Sequence, residues 1–291
     1  MNDGYEKITV VITTCERYEF LRTCLLSFYT WNTYPIEKII ITEDARTEDG
    51  KYTAEQWEQL SHYLHMISPN VEIIVNETNR GQMRSLDTMW EKVSTPWTFH
   101  LEDDFFFIAP RFIEESLEAH RYIADKLPEG QKLWQLWLYA YSFHDKTADP
   151  IAFKHKMWES PDWQDHVIKT NLMNWCDPTD HSSRNCRPVE KSYYRVYNTS
   201  QRGWTIYTGL RKTEDVMFAH PWAEKWDTEP KPDNLEGTPW RKDLERHGSD
   251  YPNYEYAVAQ FYVNNGYTGY WLKNTNWMVN RGADYQLTKI P

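Results

Sequence analysis

The chain of 291 residues has few of the features that mark several common protein classes. Its four cysteines are too few for a disulfide scaffold at this length. No apolar run approaches the roughly 18 residues that a membrane-spanning helix needs. The polar stretch of residues 1–7 is unlike a secretory signal peptide. These absences predict a soluble, cytoplasmic protein without a transmembrane segment, which could still bind at the periphery of a membrane.

Glycine is scarce, at 11 residues, and the motifs of several enzyme classes are missing. The sequence has no G-x-G-x-x-G after a strand and no Walker loop, which argues against a dehydrogenase or a P-loop nucleotidase. It has no G-x-S-x-G or H-E-x-x-H, which argues against a serine hydrolase or a zincin. Basic residues are also in the minority, at 32 against 43 acidic ones, so a general nucleic-acid binder is not expected.

The first third of the chain alternates short apolar runs with amphipathic stretches. Strands are predicted over residues 7–12, 36–42, 71–75 and 97–101, with apolar residues at helical spacing between them. This alternation predicts an α/β fold with a Rossmann-like, mostly parallel sheet flanked by helices. Ligands bind beyond the carboxyl ends of the strands in such sheets, so the loops after Ile12, Thr42 and Leu101 should share one crevice.

The remainder of the chain has a less regular pattern and is rich in aromatic residues. Strands are predicted over 133–141 and 267–272, with a helix over 254–261 that ends at Gly266. Residues 145–213 show no clear periodicity, and tryptophans and tyrosines recur from Trp158 to Trp240. Flat aromatic surfaces can stack against the rings of a ligand, so this region is a candidate binding surface, although the same residues could simply pack a loop-rich core.

Acidic residues follow two of the predicted strands. Glu102, Asp103 and Asp104 come directly after the strand over 97–101. Adjacent carboxylates repel one another, so they are tolerated where they are solvated or bound to a cation, and their oxygens suit Mg²⁺ or Mn²⁺. Asp44 follows the strand over 36–42, where its carboxylate could accept hydrogen bonds from a nucleobase or ribose, or begin a turn.

These motifs, taken in order, resemble the family 2 glycosyltransferases of the GT-A fold. The run TVVITTCERYEFLRTCLLSF is similar to the family's opening strand and helix, and residues 43–47 stand where the family has Asp-Asp-Gly-Ser-Thr. Asn79-Arg80-Gly81 with Arg84 downstream resembles the stretch before the metal motif, and FHLEDD stands at the Asp-x-Asp signature. The run NYEYAVAQFYVNNGYTGYWL is similar to the family's Glu-Asp helix and the strand after it.

The resemblance implies an inverting, polysaccharide-building type of transferase that uses a nucleotide-sugar donor, a glycan or glycoconjugate acceptor, and Mn²⁺ or Mg²⁺. UDP is the donor nucleotide that it favours. Residues 1–130 would form the nucleotide-sugar-binding part, and residues 131–291 the acceptor-binding part that completes the same GT-A domain. The residues implied are Thr14, Glu16, Asp44, Arg84 and Asp103 for the nucleotide, Asp104 for the metal, Glu255 for the catalytic base, and Trp204 and Tyr254 for the acceptor.

Several features depart from the family pattern or allow another interpretation. Many relatives end with His-x-Gly, whereas this chain has Asn280-Arg281-Gly282, so metal dependence could be weak or a water could replace the third ligand. Asp215, in a Glu-Asp pair, is a competing candidate for the base. Residues 184–212 carry seven basic residues against one acidic residue, which suits a solvated face or contact with a diphosphate or an anionic acceptor.

Other hypotheses concern zinc and the class of function. Cys176, His181 and Cys186, with His166 as a possible fourth ligand, have a spacing that fits no standard zinc finger or ribbon. Two other functions remain open, a non-catalytic carbohydrate-binding relative and a metal-dependent phosphohydrolase that uses the acidic triplet.

Overall fold

The computed structural model describes the chain in eleven segments. These are residues 4–45, 48–107, 109–125, 127, 129–137, 186–190, 193–196, 208–223, 261–262, 264–272 and 278–280.

Strands and helices alternate through the first of these segments, and further strands follow. In chain order the elements are β1 (Ile8–Thr14), α1 (Tyr18–Trp31), β2 (Lys38–Glu43), α2 (Ala54–Ile67), β3 (Val71–Val75), α3 (Gln82–Trp90), β4 (Trp97–Glu102), β5 (Phe105–Phe107), α4 (Phe112–Ala124), β6 (Lys132–Trp137), β7 (Cys186–Glu190), β8 (Tyr193–Val196), β9 (Gly209–Lys212), α5 (Thr213–Phe218), β10 (Tyr267–Leu272) and β11 (Met278–Asn280).

The main sheet has five strands in the order β3-β2-β1-β4-β9. The first four are parallel to one another, and a helix connects each of these strands to the next one in the chain. The fifth strand, β9, runs antiparallel to β4. The prediction of an α/β fold with a mostly parallel sheet flanked by helices is therefore confirmed.

Helices cover both faces of this sheet, which is why its central strands are continuous apolar runs. Successive side chains of a strand point to opposite faces. Val10 and Ile12 accordingly lie in the larger core cluster with α1, α2 and α4, whereas Val11 packs with α3 in a second cluster. Phe28 of α1 is fully buried in the larger cluster. The scaffold thus fixes the positions of the strand ends.

Two further sets of strands come largely from the second half of the chain. One sheet has the order β6-β10-β8-β7, and β11 pairs antiparallel with β5. The predicted strand over 267–272 matches β10, and the one over 133–141 is present as β6 up to residue 137, with 138–141 outside the described residues.

The described parts of residues 145–213, where the sequence shows no clear periodicity, include the strands β7, β8 and β9. These strands have four or five residues each, too few for a periodic pattern to stand out. Of the predicted helix over 254–261, the structure describes Phe261, which is helical. Within the described segments, no helix is both long and apolar enough to cross a bilayer.

His120 of α4 is a neutral histidine inside the core. Its side chain is almost wholly buried and makes a T-shaped contact with the Trp97 ring, with the ring centroids 4.8 Å apart. The Nε2 atom has no hydrogen-bond partner among the described residues. Burial, with a smaller contribution from the charge of Lys212, lowers the pKa of His120 to about 3. The folded state therefore binds this proton far less readily than the unfolded chain does.

We expect His120 to make the protein acid-sensitive. Folding lowers the pKa of His120. The contribution of the neutral histidine to the free energy of unfolding is therefore fully present above the unfolded pKa of about 6.5 and is lost progressively as the pH falls towards 3. Urea denaturation of wild type and His120→Leu at pH 7 and pH 5 measures this effect. The free energy of unfolding should fall by about 2 kcal/mol more in the wild type than in the variant. His65→Leu, at an exposed position of α2, should retain the wild-type pH response; equal responses of wild type and His120→Leu would contradict the assignment.

Candidate functional site

Four of the polar residues that the sequence singled out lie together at the carboxyl edge of the main sheet: Thr14, Asp44, Asp103 and Asp104. Parallel pairing places Thr14 opposite Glu43 and Thr13 opposite Glu102. Asp44 follows β2 directly, and Asp103 and Asp104 follow β4 directly. The loops after β1, β2 and β4 therefore share one edge, as the sequence predicted from the strand order.

Thr14 joins all three loops through hydrogen bonds. Its Oγ1 donates to Oδ2 of Asp103 at 2.8 Å, and its carbonyl accepts the backbone N–H of Asp44 at 3.0 Å. Because the Thr14 hydroxyl gives its proton to Asp103, the hydroxyl of Tyr52 donates to Thr14 in turn. Burial raises the pKa of Tyr52, so its phenol retains that proton. Thr14 thus holds Asp103 and Asp44 in fixed positions relative to each other.

Arg17 binds the acidic pair, and the sequence analysis did not identify it. Its Nε donates to Oδ2 of Asp103 at 3.1 Å, Nη2 donates to Oδ1 of the same residue, and Nη1 donates to Oδ2 of Asp104 at 3.2 Å. The backbone N–H of Arg17 donates to the Tyr52 hydroxyl. A planar guanidinium can satisfy two carboxylates in this way, whereas a lysine ammonium cannot do so with the same geometry.

A sequence signal for Arg17 exists in its position. It stands at the N-cap of α1, where no side chain caps the helix. A positive charge is unfavourable next to the positive end of the helix dipole, so an arginine there needs an acidic partner elsewhere. The chain bends sharply just before it, because Glu16 has a positive φ of 56°. Glu16 itself is exposed, and its side chain runs against Gly50, where a Cβ would clash with it.

Burial dominates the electrostatics of the acidic pair. The Asp103 side chain has no exposed surface, and this burial raises its pKa to about 7, although Arg17 acts in the opposite direction. Burial likewise raises the pKa of Asp104. The three acidic residues 102–104 raise the pKa of Arg17 despite its own partial burial, which alone would lower it. The pair therefore favours additional positive charge.

Asp104 has a carboxylate oxygen that could hold a divalent cation. Its Oδ1 is buried and accepts no hydrogen bond from the described residues, while Oδ2 accepts one from Arg17. A free carboxylate oxygen is a ligand that Mg²⁺ and Mn²⁺ accept. No group of three or more His, Cys, Asp or Glu is arranged for a metal in the described segments. An ion here would thus take its other ligands from substrate phosphates and water, as Mg²⁺ commonly does.

The last sequence motif lies close to this carboxylate along the backbone. Antiparallel pairing of β5 with β11 places Asn280 opposite Phe105, the residue after Asp104. This is the position at which the sequence has Asn where many relatives have His. The strand pairing therefore places the backbone of Asn280, the residue that differs from the family pattern, close to that of Asp104.

Asp44 is held by the loop that precedes α3. Its side chain is buried, and Oδ1 accepts hydrogen bonds from Nδ2 of Asn76 at 2.8 Å and from the backbone N–H of Arg80 at 2.7 Å. Nδ2 of Asn79 donates to its carbonyl. These bonds fix the orientation of the carboxylate and also serve the turn, so both interpretations of Asp44 remain compatible with its contacts.

The beginning of α3 reaches the same edge. Nε2 of Gln82 donates to the Glu102 carboxylate at 3.3 Å. Arg84 lies in the same first turn of α3 and is exposed. The structure thus places Arg84 two residues from a direct contact with the acidic triplet.

The structure does not bring Asp215 to this edge. Lys212 pairs with Trp97, and the N–H of Thr213 donates to the carbonyl of Pro96, so Asp215 lies beyond the amino end of β4. Its Oδ1 accepts the Tyr267 hydroxyl at 2.8 Å. A carboxylate at the opposite end of β4 from Asp103 cannot serve as the base of the same site.

The basic stretch and the zinc hypothesis are only partly described. Arg211 is neither a solvated residue nor a diphosphate contact, because it is buried in β9 and donates to Oε1 of Gln135. Cys186 is described in β7 by its backbone. The remaining predicted residues outside the described segments are Glu255, Tyr254, Trp204, Cys176, His181 and His166.

Two solved structures match this chain at low sequence identity. Residues 1–349 of TarS from S. aureus, in complex with UDP, share 11% identity at a TM-score of 0.47, covering 97% of this chain and 63% of that one. The mannosyltransferase PcManGT from Pyrobaculum calidifontis, in complex with GDP-Man and Mn²⁺, shares 13% identity at a TM-score of 0.36, covering 46% and 35%. The chain thus spans less than two thirds of either protein. No curated protein matches it significantly in sequence.

The family comparison covers the part of the chain in which the edge residues lie. Residues 9–123, from β1 to α4, match the model of glycosyl transferase family 2. This segment contains Thr14, Arg17, Asp44 and the acidic triplet. The match supports a glycosyltransferase, and it confirms for residues 9–123 the resemblance to the family 2 glycosyltransferases that the sequence motifs indicated.

Proposed function

We propose that this protein transfers a sugar from a nucleoside diphosphate sugar, with UDP as the favoured nucleotide, to a hydroxyl group of a glycan or glycoconjugate. Polysaccharide biosynthesis is the setting that this chemistry suits. The observation that carries the proposal is the convergence of Thr14, Asp44 and the Asp103–Asp104 pair at one sheet edge, within the segment that matches the family.

The nucleotide would lie across the ends of β1, β2 and β4. Asp44, fixed by Asn76 and Arg80, would accept hydrogen bonds from the base, beside Thr14 and Glu16. Asp103, held by Thr14, would orient the ribose. Since the scaffold already holds Asp44 and Asp103 in place, rearrangement on binding would be confined to the side chain of Arg17, whose Nη2 occupies Oδ1 of Asp103.

The diphosphate would lie at the far end of this row. Asp104 would hold Mn²⁺ or Mg²⁺ through its Oδ1, and such an ion would supply positive charge that stabilises the diphosphate as a leaving group. Arg84, in the exposed first turn of α3, would contact the same phosphates. Preorganised positive charge is most useful where negative charge grows during the reaction, which here is on the leaving group.

The acceptor half of the reaction rests on the sequence. Glu255 would remove the proton of the acceptor hydroxyl as it attacks the anomeric carbon with inversion, and Tyr254 and Trp204 would contact the acceptor. Residues 1–130 would bind the donor and residues 131–291 the acceptor. The pairing of β9 with β4 and of β11 with β5 supports one domain made from both parts.

A thermal-shift screen tests the donor class. UDP, UDP-GlcNAc, GDP and GDP-mannose, each with Mn²⁺ or with EDTA, form the panel. One nucleotide should raise the Tm selectively and more strongly with Mn²⁺, by an amount that corresponds to about 2.7 kcal/mol at 100 times Kd. Stabilisation by none of them would favour a carbohydrate-binding relative without catalysis. Release of inorganic phosphate instead of a nucleoside diphosphate would favour the phosphohydrolase.

Asp104→Asn tests the metal assignment. The amide is a weaker ligand than the carboxylate, so the Mn²⁺-dependent part of nucleotide binding should weaken by roughly 10-fold or more. Isothermal titration of the nucleotide with Mn²⁺ and with EDTA measures that part directly. Asp125→Asn, an exposed position after α4, is the matched control and should bind as the wild type does. Unchanged Mn²⁺ dependence in Asp104→Asn would refute the assignment.

Two matched substitutions separate the candidates for the base. Glu255→Gln should lower kcat by roughly 10² to 10⁴ while the Kd for the nucleotide stays the same, because only proton removal is lost. Asp215→Asn should lower the Tm, since Tyr267 loses a charged acceptor, and leave kcat per folded molecule near the wild-type value. The opposite pattern of kcat values would show that Asp215 acts as the base.

A further inference from the structure

Arg17, Asp103 and Asp104 form a closed ionic cluster, which we name the Arg17 clasp. Three N–H groups of the guanidinium donate to the two carboxylates, and both oxygens of Asp103 are engaged. The cluster occupies the residues to which the proposed function assigns the ribose and the divalent cation. A positive side chain therefore already stands where a positive ion is expected.

The charges in the clasp set a condition on cation binding. Asp103 is wholly buried and Asp104 is mostly buried, so the negative charge that they share is poorly screened by water. Arg17 supplies one positive charge to it. A divalent ion at Oδ1 of Asp104 would meet that guanidinium at short range, and like charges repel strongly in such surroundings. A diphosphate arriving with the ion would supply the negative charge that offsets this repulsion.

The side chain of Arg17 is free to shift relative to the acidic pair while its backbone stays in place. Its side chain is 39% exposed, whereas the Asp103 side chain is 0% exposed. Its backbone is held by the Tyr52 hydroxyl and by α1, which begins directly after it, so movement is confined to the side chain. The Phe20 ring lies 6.0 Å from the guanidinium carbon and offers an apolar surface on which the side chain can rest.

We propose that Arg17 is an internal counter-cation that makes binding of the divalent ion at Asp104 conditional on the nucleotide. Without the nucleotide, the guanidinium competes with the ion for the acidic pair. With the nucleotide bound, the negative charge of its phosphates offsets the repulsion between the guanidinium and the ion, so the ion binds beside Arg17. This inference rests on the proposed function for the identity of the nucleotide, but its central test needs no nucleotide.

The test compares Mn²⁺ binding by wild type, Arg17→Lys and Arg17→Gln. Binding is measured as the loss of the electron paramagnetic resonance signal of free Mn²⁺, at about pH 8, where Asp103 is mostly ionised. Without nucleotide, Arg17→Gln should bind Mn²⁺ roughly 10-fold more tightly than wild type, and Arg17→Lys, which retains the charge without the fork, should lie between them. With UDP present, the affinity of wild type for Mn²⁺ should rise by roughly 10- to 100-fold, and that of Arg17→Gln by less.

Arg22→Gln is the matched control, because Arg22 lies on the same helix and pairs with Glu19 instead of the acidic pair. It should bind Mn²⁺ as the wild type does. Equal or weaker Mn²⁺ binding by Arg17→Gln without nucleotide would overturn the inference, and if that variant did not fold, the same result for Arg17→Lys would overturn it. Failure of the proposed function looks different, since wild type would then show no nucleotide binding whatever the Mn²⁺ affinities.

Discussion

The structure depends on the need of two adjacent buried carboxylates for positive charge. Asp103 and Asp104 follow a strand that helices cover on both faces, so water can do little to stabilise them. Their counter-ion comes from Arg17, on the neighbouring strand's loop, and the parallel register of β1 and β4 places that loop within reach. An apolar scaffold with fixed strand ends thus makes a strongly charged cluster possible.

The same edge joins rigid and exposed parts. Hydrogen bonds from Thr14 connect it to Asp103 and to the backbone of Asp44, and all three residues are buried. At the same edge, Glu16 and Arg84 are exposed. Fixed groups are suited to recognising a ligand's shape, and exposed basic or acidic groups are suited to meeting it first. Asp44 belongs to the fixed groups, because three hydrogen bonds from the loop of residues 76–80 hold it in place.

The sequence predicted what local patterns encode and missed what distant pairing creates. The strands over 71–75 and 267–272 have the predicted bounds, and the shared crevice follows from strand order. Arg17 was missed because its partner Asp103 is 86 residues away: its N-cap position indicates that an acidic partner is needed, but not which acidic residue supplies it. The short strand β9 was missed because four residues are too few to show a periodic pattern. Its antiparallel register with β4 places Asp215 at the end of β4 opposite to Asp103, which the sequence could not show.

The position of β9 also bears on how the chain is made. β4, the strand that leads into the acidic pair, has β1 on one side and β9 on the other, and β9 comes from much later in the chain. A ribosome therefore releases β4 long before its second neighbour exists, leaving one row of backbone N–H and C=O groups open to other strands. The proposed donor-binding part, residues 1–130, supplies four of the five strands of this sheet, and β9 lies outside it. A boundary at residue 130 would therefore separate the two proposed tasks without separating two units of folding.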